Sequence, residues 1–376
     1  MAKQVKVTLN LTGINTFLLI VLLGILLVSM YSVMQVQKAV KDIKPPTPPT
    51  LAKLTVTVVA PADCEDCFDA SAFASAVKQV PLTDVTENTA FFDSIEGQKL
   101  ITQYKLTRLP AAIVTGETEN VTIQGFTKVD DAYVFTDTPP PYYDLSKGGV
   151  VGRVSLTFIT DSNCAQCMDI TQFGAQLEQV GVKVSSKSTV DAGSGEGKAL
   201  ISRYAITKVP TMLLSEDALA YDIITQVWPS VGTQEADGML VFRNVTPPYK
   251  DLGTNQVRGL VTITYLTDKA CTECYNVTMH KLVLEQSFGT KFKGEKMVDI
   301  GTPEGERLAA KYRITKVPTT LLDAEAAVYS ALVQAWPQVG SQDPDGTFVF
   351  EKIDLLQGVT YKDLSDNTVK NATAPQ

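Results

Sequence analysis

Cys164-Ala165-Gln166-Cys167 is followed, 46 residues after its first cysteine, by Val209-Pro210-Thr211, and this arrangement is written twice more. Cys64-Glu65-Asp66-Cys67 leads to Leu109-Pro110-Ala111 at the same interval of 46, and Cys271-Thr272-Glu273-Cys274 to Val317-Pro318-Thr319 at 47. These six cysteines are all that the 376-residue chain has. Placing every cysteine in a C-x-x-C pair points to thiol chemistry or to local disulfides.

Laying the pairs over one another divides most of the chain into three repeats. A β-branched or alternating apolar run precedes each pair and reads as a strand: Leu54–Ala60, Val154–Thr160 and Val261–Thr267. A helix is expected after each pair, clearest in Asp169–Val180 and Asn276–Phe288, then a short strand such as Val182–Val184 or Met297–Ile300. The next segments share an opening, SIEGQKLITQYKLTRLP, SGEGKALISRYAITKVP and TPEGERLAAKYRITKVP. Ser94, Ser194 and Thr302 are suited to cap these second helices, with acidic residues in the first turn where the helix dipole favours them. Short strands follow the prolines at Ala111–Thr115, Thr211–Ser215 and Thr319–Leu322, and further strands are expected around Trp228–Phe242 and Trp336–Phe350. Asp237-Gly238 and Asp345-Gly346 read as hairpin turns. The repeats close on Tyr143-Asp144-Leu145, Tyr249-Lys250-Asp251-Leu252 and Tyr361-Lys362-Asp363-Leu364, with Gly-containing joints at Lys147–Gly149 and Gly253–Gly259.

Strand, C-x-x-C, helix, strand, helix and an X-Pro step before another strand resembles the thioredoxin-like superfamily. The resemblance implies an α/β fold of three tandem thioredoxin-like domains, each with a modified C-terminal end. It implies that Pro110, Pro210 and Pro318 are cis and face the cysteine pairs. Leu109, Val209 and Val317 would then line a substrate groove. Cys64, Cys164 and Cys271 would attack, and Cys67, Cys167 and Cys274 would resolve the mixed disulfide. The chain departs from the familiar pattern in two places. Asp63, Asn163 and Ala270 stand where many thioredoxins have tryptophan, and the dipeptides Glu65-Asp66, Ala165-Gln166 and Thr272-Glu273 are neither Gly-Pro nor Pro-His.

A first cysteine at a helix start would have its thiolate stabilised by the dipole, whereas carboxylates between the cysteines oppose that. Arg108, Lys208 and Lys316, two residues before each proline, would offset them if they point toward the site. Inert disulfides that staple each domain are the alternative, and would make the chain a cell-surface scaffold or protein-binding array. Structural zinc wants four ligands, and each repeat offers two cysteines; the sole histidine, His280, reads as a packed or exposed residue rather than a ligand. No metal and no cofactor is expected.

Phe17–Val36 is twenty residues without a charge, enough to cross a bilayer as a helix, and no A-x-A-like cleavage site follows. The expected organisation is an anchor at 1–44, a Pro-rich spacer at 45–50, domains at 51–147, 150–253 and 257–365, and a tail at 366–376. Lysines on both sides of the span leave orientation to the cysteine pairs, which suit an oxidising exterior. The expected protein is therefore single-pass in the cell membrane, held in the lipid bilayer through Phe17–Val36, with its domains extracytoplasmic and acting on protein thiols or disulfides there. A net charge of −8 argues against nucleic acid as a partner.

Overall fold

The computed structural model describes residues 11–41, 51–61 and 64–372. The expected spacer at 45–50, Asp63, the lysines at 3, 6 and 44, and residues 373–376 of the expected tail lie outside the described residues. Leu11–Lys41 is one helix, and its segment Ile20–Lys38 is long and apolar enough to cross a membrane. Large apolar side chains from Ile20 to Val36 are exposed along it.

Each repeat builds a five-stranded sheet of one topology. In the second repeat the strand order is Val184–Asp191, Val154–Thr160, Thr211–Leu214, Leu240–Phe242 and Gly232–Gln234. The first two are parallel and the rest antiparallel. The order in the first repeat is Thr83–Phe91, Ala52–Ala60, Ala111–Gly116, Ala132–Phe135 and Thr127–Val129; in the third it is Lys291–Asp299, Leu260–Thr267, Thr319–Leu322, Phe348–Phe350 and Gly340–Gln342. The period-two alternation of the central strands covers both faces. In the first repeat Ala112 and Val114 pack with Phe73 and Val77 on one side, while Ala111 and Ile113 pack with Leu106 and Leu109 on the other.

The outer parallel strand is longer than its short apolar stretch suggests, because most of it is polar and exposed. Val184–Asp191 reads VSSKSTVD with only Val190 buried, and Lys291–Asp299 buries only Val298. The second helices, Ile95–Tyr104, Gly195–Arg203 and Pro303–Lys311, begin at the expected caps. The hydroxyls of Ser94, Ser194 and Thr302 accept from the amides of Gly97, Gly197 and Gly305 at 3.0, 2.9 and 3.2 Å.

The strand expected to begin at Trp228 is instead a helix, Asp222–Val231, with Pro229 inside it. Its buried residues Ile224 and Trp228 recur at helical spacing and pack on the sheet; the strands begin only at Gly232. The third repeat has helix Ser330–Ala335 followed by a 3-10 turn at Trp336–Gln338. The tryptophans are core residues, with their indole nitrogens donating to Thr233 O and Ser341 O at 3.1 and 3.0 Å.

A second, three-stranded sheet stands beside each main one. In the first repeat it runs Arg108–Leu109, Tyr142–Asp144, Gly149–Val151. Lys147–Gly149, expected as a joint, therefore lies at a hairpin whose return strand pairs back to the first repeat. Gln256–Arg258 and Thr368–Asn371 do the same for the second and third repeats, so the expected ends at 147, 253 and 365 each fall one strand early. The chain passes between repeats at Gly152 and Gly259, both with positive φ. At each, the next repeat holds the glycine at both ends. Gly152 N donates to Asp217 and Gly152 O accepts from Tyr221 at 3.0 and 2.7 Å; Gly259 meets Glu325 and Tyr329 at 2.7 and 2.6 Å.

Candidate functional site at the C-x-x-C turns

Sheet register brings the cysteines and the X-Pro steps to one end of each domain. Ala111 pairs with Val59, Thr211 with Ile159 and Thr319 with Leu266, where the first strand runs out toward the cysteines. The peptide bonds Leu109-Pro110, Val209-Pro210 and Val317-Pro318 are cis. Cys64–Cys67, Cys164–Cys167 and Cys271–Cys274 are disulfides, with Cα separations of 5.3, 5.4 and 5.4 Å. Cys164 is the most enclosed first cysteine, 9% exposed; Cys64 and Cys271 are half-buried.

The residue after each pair anchors the loop. Phe68 N and Met168 N donate to Pro141 O and Pro248 O, and Tyr275 N to Thr360 O, at 3.0, 2.9 and 2.9 Å. Pro140-Pro141 and Pro247-Pro248 are also cis, and the only signal for them in the sequence is the Pro-Pro pair itself. The strands opening there pair with the residues before Pro110, Pro210 and Pro318. Leu109, Val209 and Val317 are fully buried as whole residues, backbone and side chain alike, so they line no open groove in this structure. Each lies on the outermost strand of its three-stranded sheet, leaving one strand edge unpaired.

The cysteines do not open the following helix, contrary to the sequence expectation. Each pair closes its own turn, with the second cysteine's N–H donating to the first one's carbonyl at 3.4, 3.1 and 3.4 Å. The helices start later, at Ser71, Gln172 and Met279. An Asx residue marks each start: Asp69, Asp169 and Asn276 accept from the amides of Ser71, Thr171 and Thr278 at 2.9, 3.0 and 3.1 Å. These side chains meet the positive end of the helix, which is displaced from the first sulfur.

The charges near the sites form two patterns. In the second repeat Lys250 bridges to Asp161 at 2.6 Å, three residues before Cys164, and Asp161 also accepts from Asn163 N. In the third, Lys362 and Asp268 repeat this at 2.5 Å. The lysine bond is the main cause holding both carboxyls below their ordinary pKa. In the first repeat Pro61 and Tyr143 occupy these places, so acid and lysine are present or absent together. The recurrence of Thr-Asp before the pair and of Tyr-Lys-Asp-Leu after it was the available signal for this pair.

Arg108, Lys208 and Lys316 do not reach the sulfurs. They stack on Tyr142, Tyr249 and Tyr361 at 4.5, 4.6 and 5.3 Å from the ring centroids. Of the intervening acids, Glu65 and Glu273 are exposed. Asp66 is bound by Arg153, whose Nε lies 3.1 Å from both carboxylate oxygens and whose Nη2 lies 2.5 Å from Oδ1 and 3.7 Å from Cys64 Sγ. That guanidinium holds the Asp66 carboxyl below its usual pKa.

His280 is packed, 8% exposed, and desolvation brings its pKa down to about 4. Its Nδ1 is 2.8 Å from Thr320 Oγ1 and its Nε2 is 3.4 Å from Tyr275 OH, which donates to Pro318 O at 3.0 Å. It borders an apolar hollow of about 310 Å³ lined also by Met279, Val283, Trp336 and Phe350. Among the described residues no group of three or more His, Cys, Asp or Glu side chains could hold a metal ion.

No protein-family model matches the chain, and no curated protein matches it. Among solved structures it is similar to the N-terminal domain of alkylhydroperoxide reductase AhpF from Enterococcus faecalis, at 14% identity and a TM-score of 0.16, over 44% of this chain and 83% of that one. It is similar to ERdj5 at 9% identity and 0.16, over 74% of this chain and 39% of that one, and to human ERp44 at 10% and 0.14, over 79% and 86%. The chain folds as three tandem α/β units of one strand order, each with a disulfide at its C-x-x-C turn.

Proposed function

We propose that the chain is a membrane-anchored thiol–disulfide oxidoreductase with its three domains outside the cytoplasm. The observation that supports this best is the threefold recurrence of a C-x-x-C disulfide at the same end of the same sheet, beside an unpaired strand edge. A substrate segment would add to the edge at Leu109, Val209 or Val317 through its backbone once the segments that bury this edge move aside. In the reduced protein the thiolate of Cys64, Cys164 or Cys271 attacks a substrate disulfide. One substrate sulfur leaves as thiolate and a mixed disulfide forms. Cys67, Cys167 or Cys274 then attacks the mixed disulfide, the second substrate sulfur leaves, and two electrons have passed to the substrate. In reverse, the protein disulfide oxidises a substrate dithiol. The apolar helix Ile20–Lys38 supports the anchor, and disulfides in every domain support an oxidising compartment.

The test is exchange with a disulfide peptide after mild reduction, compared among single Cys64→Ser, Cys164→Ser and Cys271→Ser variants and the triple variant. Activity lost in the triple variant is expected; wild-type behaviour there refutes the reading. The inert-scaffold reading draws on the enclosure of Cys164 and the displacement of the helix ends from the sulfurs. Potentials below about −300 mV at all three sites would establish it, against about −270 to −120 mV for exchange.

A further inference from the structure

We infer that Arg153, carried by the second repeat, is a positioning residue for the first repeat's thiolate, so that the chemistry of Cys64 depends on the second repeat being docked against it. This deepens the exchange reading and rests on it. Arg153 stands between the junction glycine and the strand Val154–Thr160, and its backbone neighbour Gly152 is fixed at both ends by Asp217 and Tyr221 of the second repeat. From there the guanidinium crosses to the first repeat's C-x-x-C turn. It binds Asp66 through Nε and Nη2 while Nη2 lies 3.7 Å from Cys64 Sγ.

A carboxylate inside a C-x-x-C turn works against a neighbouring thiolate, and a guanidinium works for it. Here the planar fork of Arg153 does both tasks, neutralising Asp66 and facing the sulfur. The other charges near this cluster are Lys183, acting on Asp66, and Asp217, acting on Arg153; Glu65 is exposed and Asp63 lies outside the described residues. When a substrate dithiol reduces Cys64–Cys67, two electrons pass to the protein pair and the substrate becomes a disulfide. Of the two protons the dithiol gives up, Cys67 keeps one and the other goes to solvent if Cys64 is held as thiolate.

The arrangement is specific to the first site. At the second junction Leu260 follows Gly259 where Arg153 follows Gly152, and Gln166 occupies the place of Asp66. The nearby Arg258 turns to Glu325 at 2.9 Å instead. The counterparts of Asp66 and Arg153 are therefore both absent from the second site.

The test uses the reduced full chain, with alkylation by iodoacetamide followed against pH and read peptide by peptide in a mass spectrometer. Arg153→Gln should slow alkylation of Cys64 near pH 7 about tenfold, the effect of one pKa unit, and leave Cys164 and Cys271 unchanged. Arg153→Lys should recover most of the rate, and adding Asp66→Asn to Arg153→Gln should recover part of it. An unchanged Cys64 profile in Arg153→Gln, or a loss that neither Arg153→Lys nor Asp66→Asn relieves, overturns the inference. Absence of exchange in the wild type, with the alkylation pattern as expected, would refute the exchange reading and leave the role of Arg153 standing.

Discussion

His280→Phe should remove a large part of the acid sensitivity of the third repeat. The histidine occupies the position of Phe73 and Phe173, and all three rings meet an aromatic of the fourth strand. Phe73 lies 4.9 Å from Phe135, Phe173 5.7 Å from Phe242, and His280 4.6 Å from Phe350. Burial lowers its pKa from 6.5 to about 4. Between those values the unfolded chain binds a proton that the native state refuses, so stability rises with pH across this window. The full stability is present above pH 6.5 and declines as pH falls toward 4, below which both states are protonated. At 1.36 kcal/mol per pKa unit the loss is about 3 kcal/mol. At pH 7 the variant should itself be weakened by about 1–3 kcal/mol, because Thr320, 1% exposed, loses its partner. Adding Thr320→Met, the residue at the matching position 212, should restore some of this. The diagnostic quantity is the difference between wild type and variant as a function of pH, in which the carboxylate titrations common to both cancel. Denaturant unfolding can be followed through Trp336 in a Trp228→Phe background, leaving one tryptophan in the third repeat. Because the chain has one histidine, its imidazole resonance also titrates without ambiguity. Parallel stability curves from pH 7 to 4, or a native midpoint near 6.5, would refute the reasoning.

Tyr265→Phe should stabilise the third repeat by about 1 kcal/mol, since its buried hydroxyl has no hydrogen-bond partner among the described residues and the matching residue is Phe158; a lower midpoint in denaturant would contradict this. Asp169→Ala should cost about 1 kcal/mol by removing the Asx turn that leads into helix Gln172–Gln179, measured in the same way, with Asp169→Asn close to wild type. Gly259→Ala should loosen the junction between the second and third repeats by about 1–3 kcal/mol. Its φ is +88°, and a Cβ there would meet Pro247 Cβ at 2.5 Å; unchanged protease resistance between these repeats would count against it.

The elements legible in the sequence were those with a strong local cause. Alternating apolar residues marked the first strand of each repeat, and Ser94, Ser194 and Thr302 marked the second helices because the capping hydroxyl is a local interaction. Val184–Asp191 was largely missed because an edge strand with both faces in solvent keeps no apolar period. Trp228–Val231, the last turn of helix Asp222–Val231, reads locally as strand because tryptophan and Pro229 disfavour helix, whereas the sheet surface rewards the Ile224–Trp228 spacing. The first helices begin within three residues of the expected Asp169 and Asn276, because each Asx side chain precedes the first helical turn and accepts from an amide there.

The sites themselves were legible as cysteines and prolines, and illegible as electrostatic environments, because every decisive charge comes from far along the chain. Lys250 lies 89 residues from Asp161, Lys362 lies 94 from Asp268, and Arg153 lies 87 from Asp66. These pairings make the first disulfide chemically unlike the other two. The second and third sites have an Asp–Lys pair at the base of the loop, with Asp161 and Asp268 side chains only 7% and 8% exposed. The first site has no such pair and takes its cation from the neighbouring domain. Asp161 and Asp268, three residues before the second and third pairs, are neutralised within their own domains, whereas Asp66 beside Cys64 is neutralised only while two domains are docked. Opening the first junction should therefore change the first site and leave the other two as they were, a separation that three copies of one self-contained site could not produce.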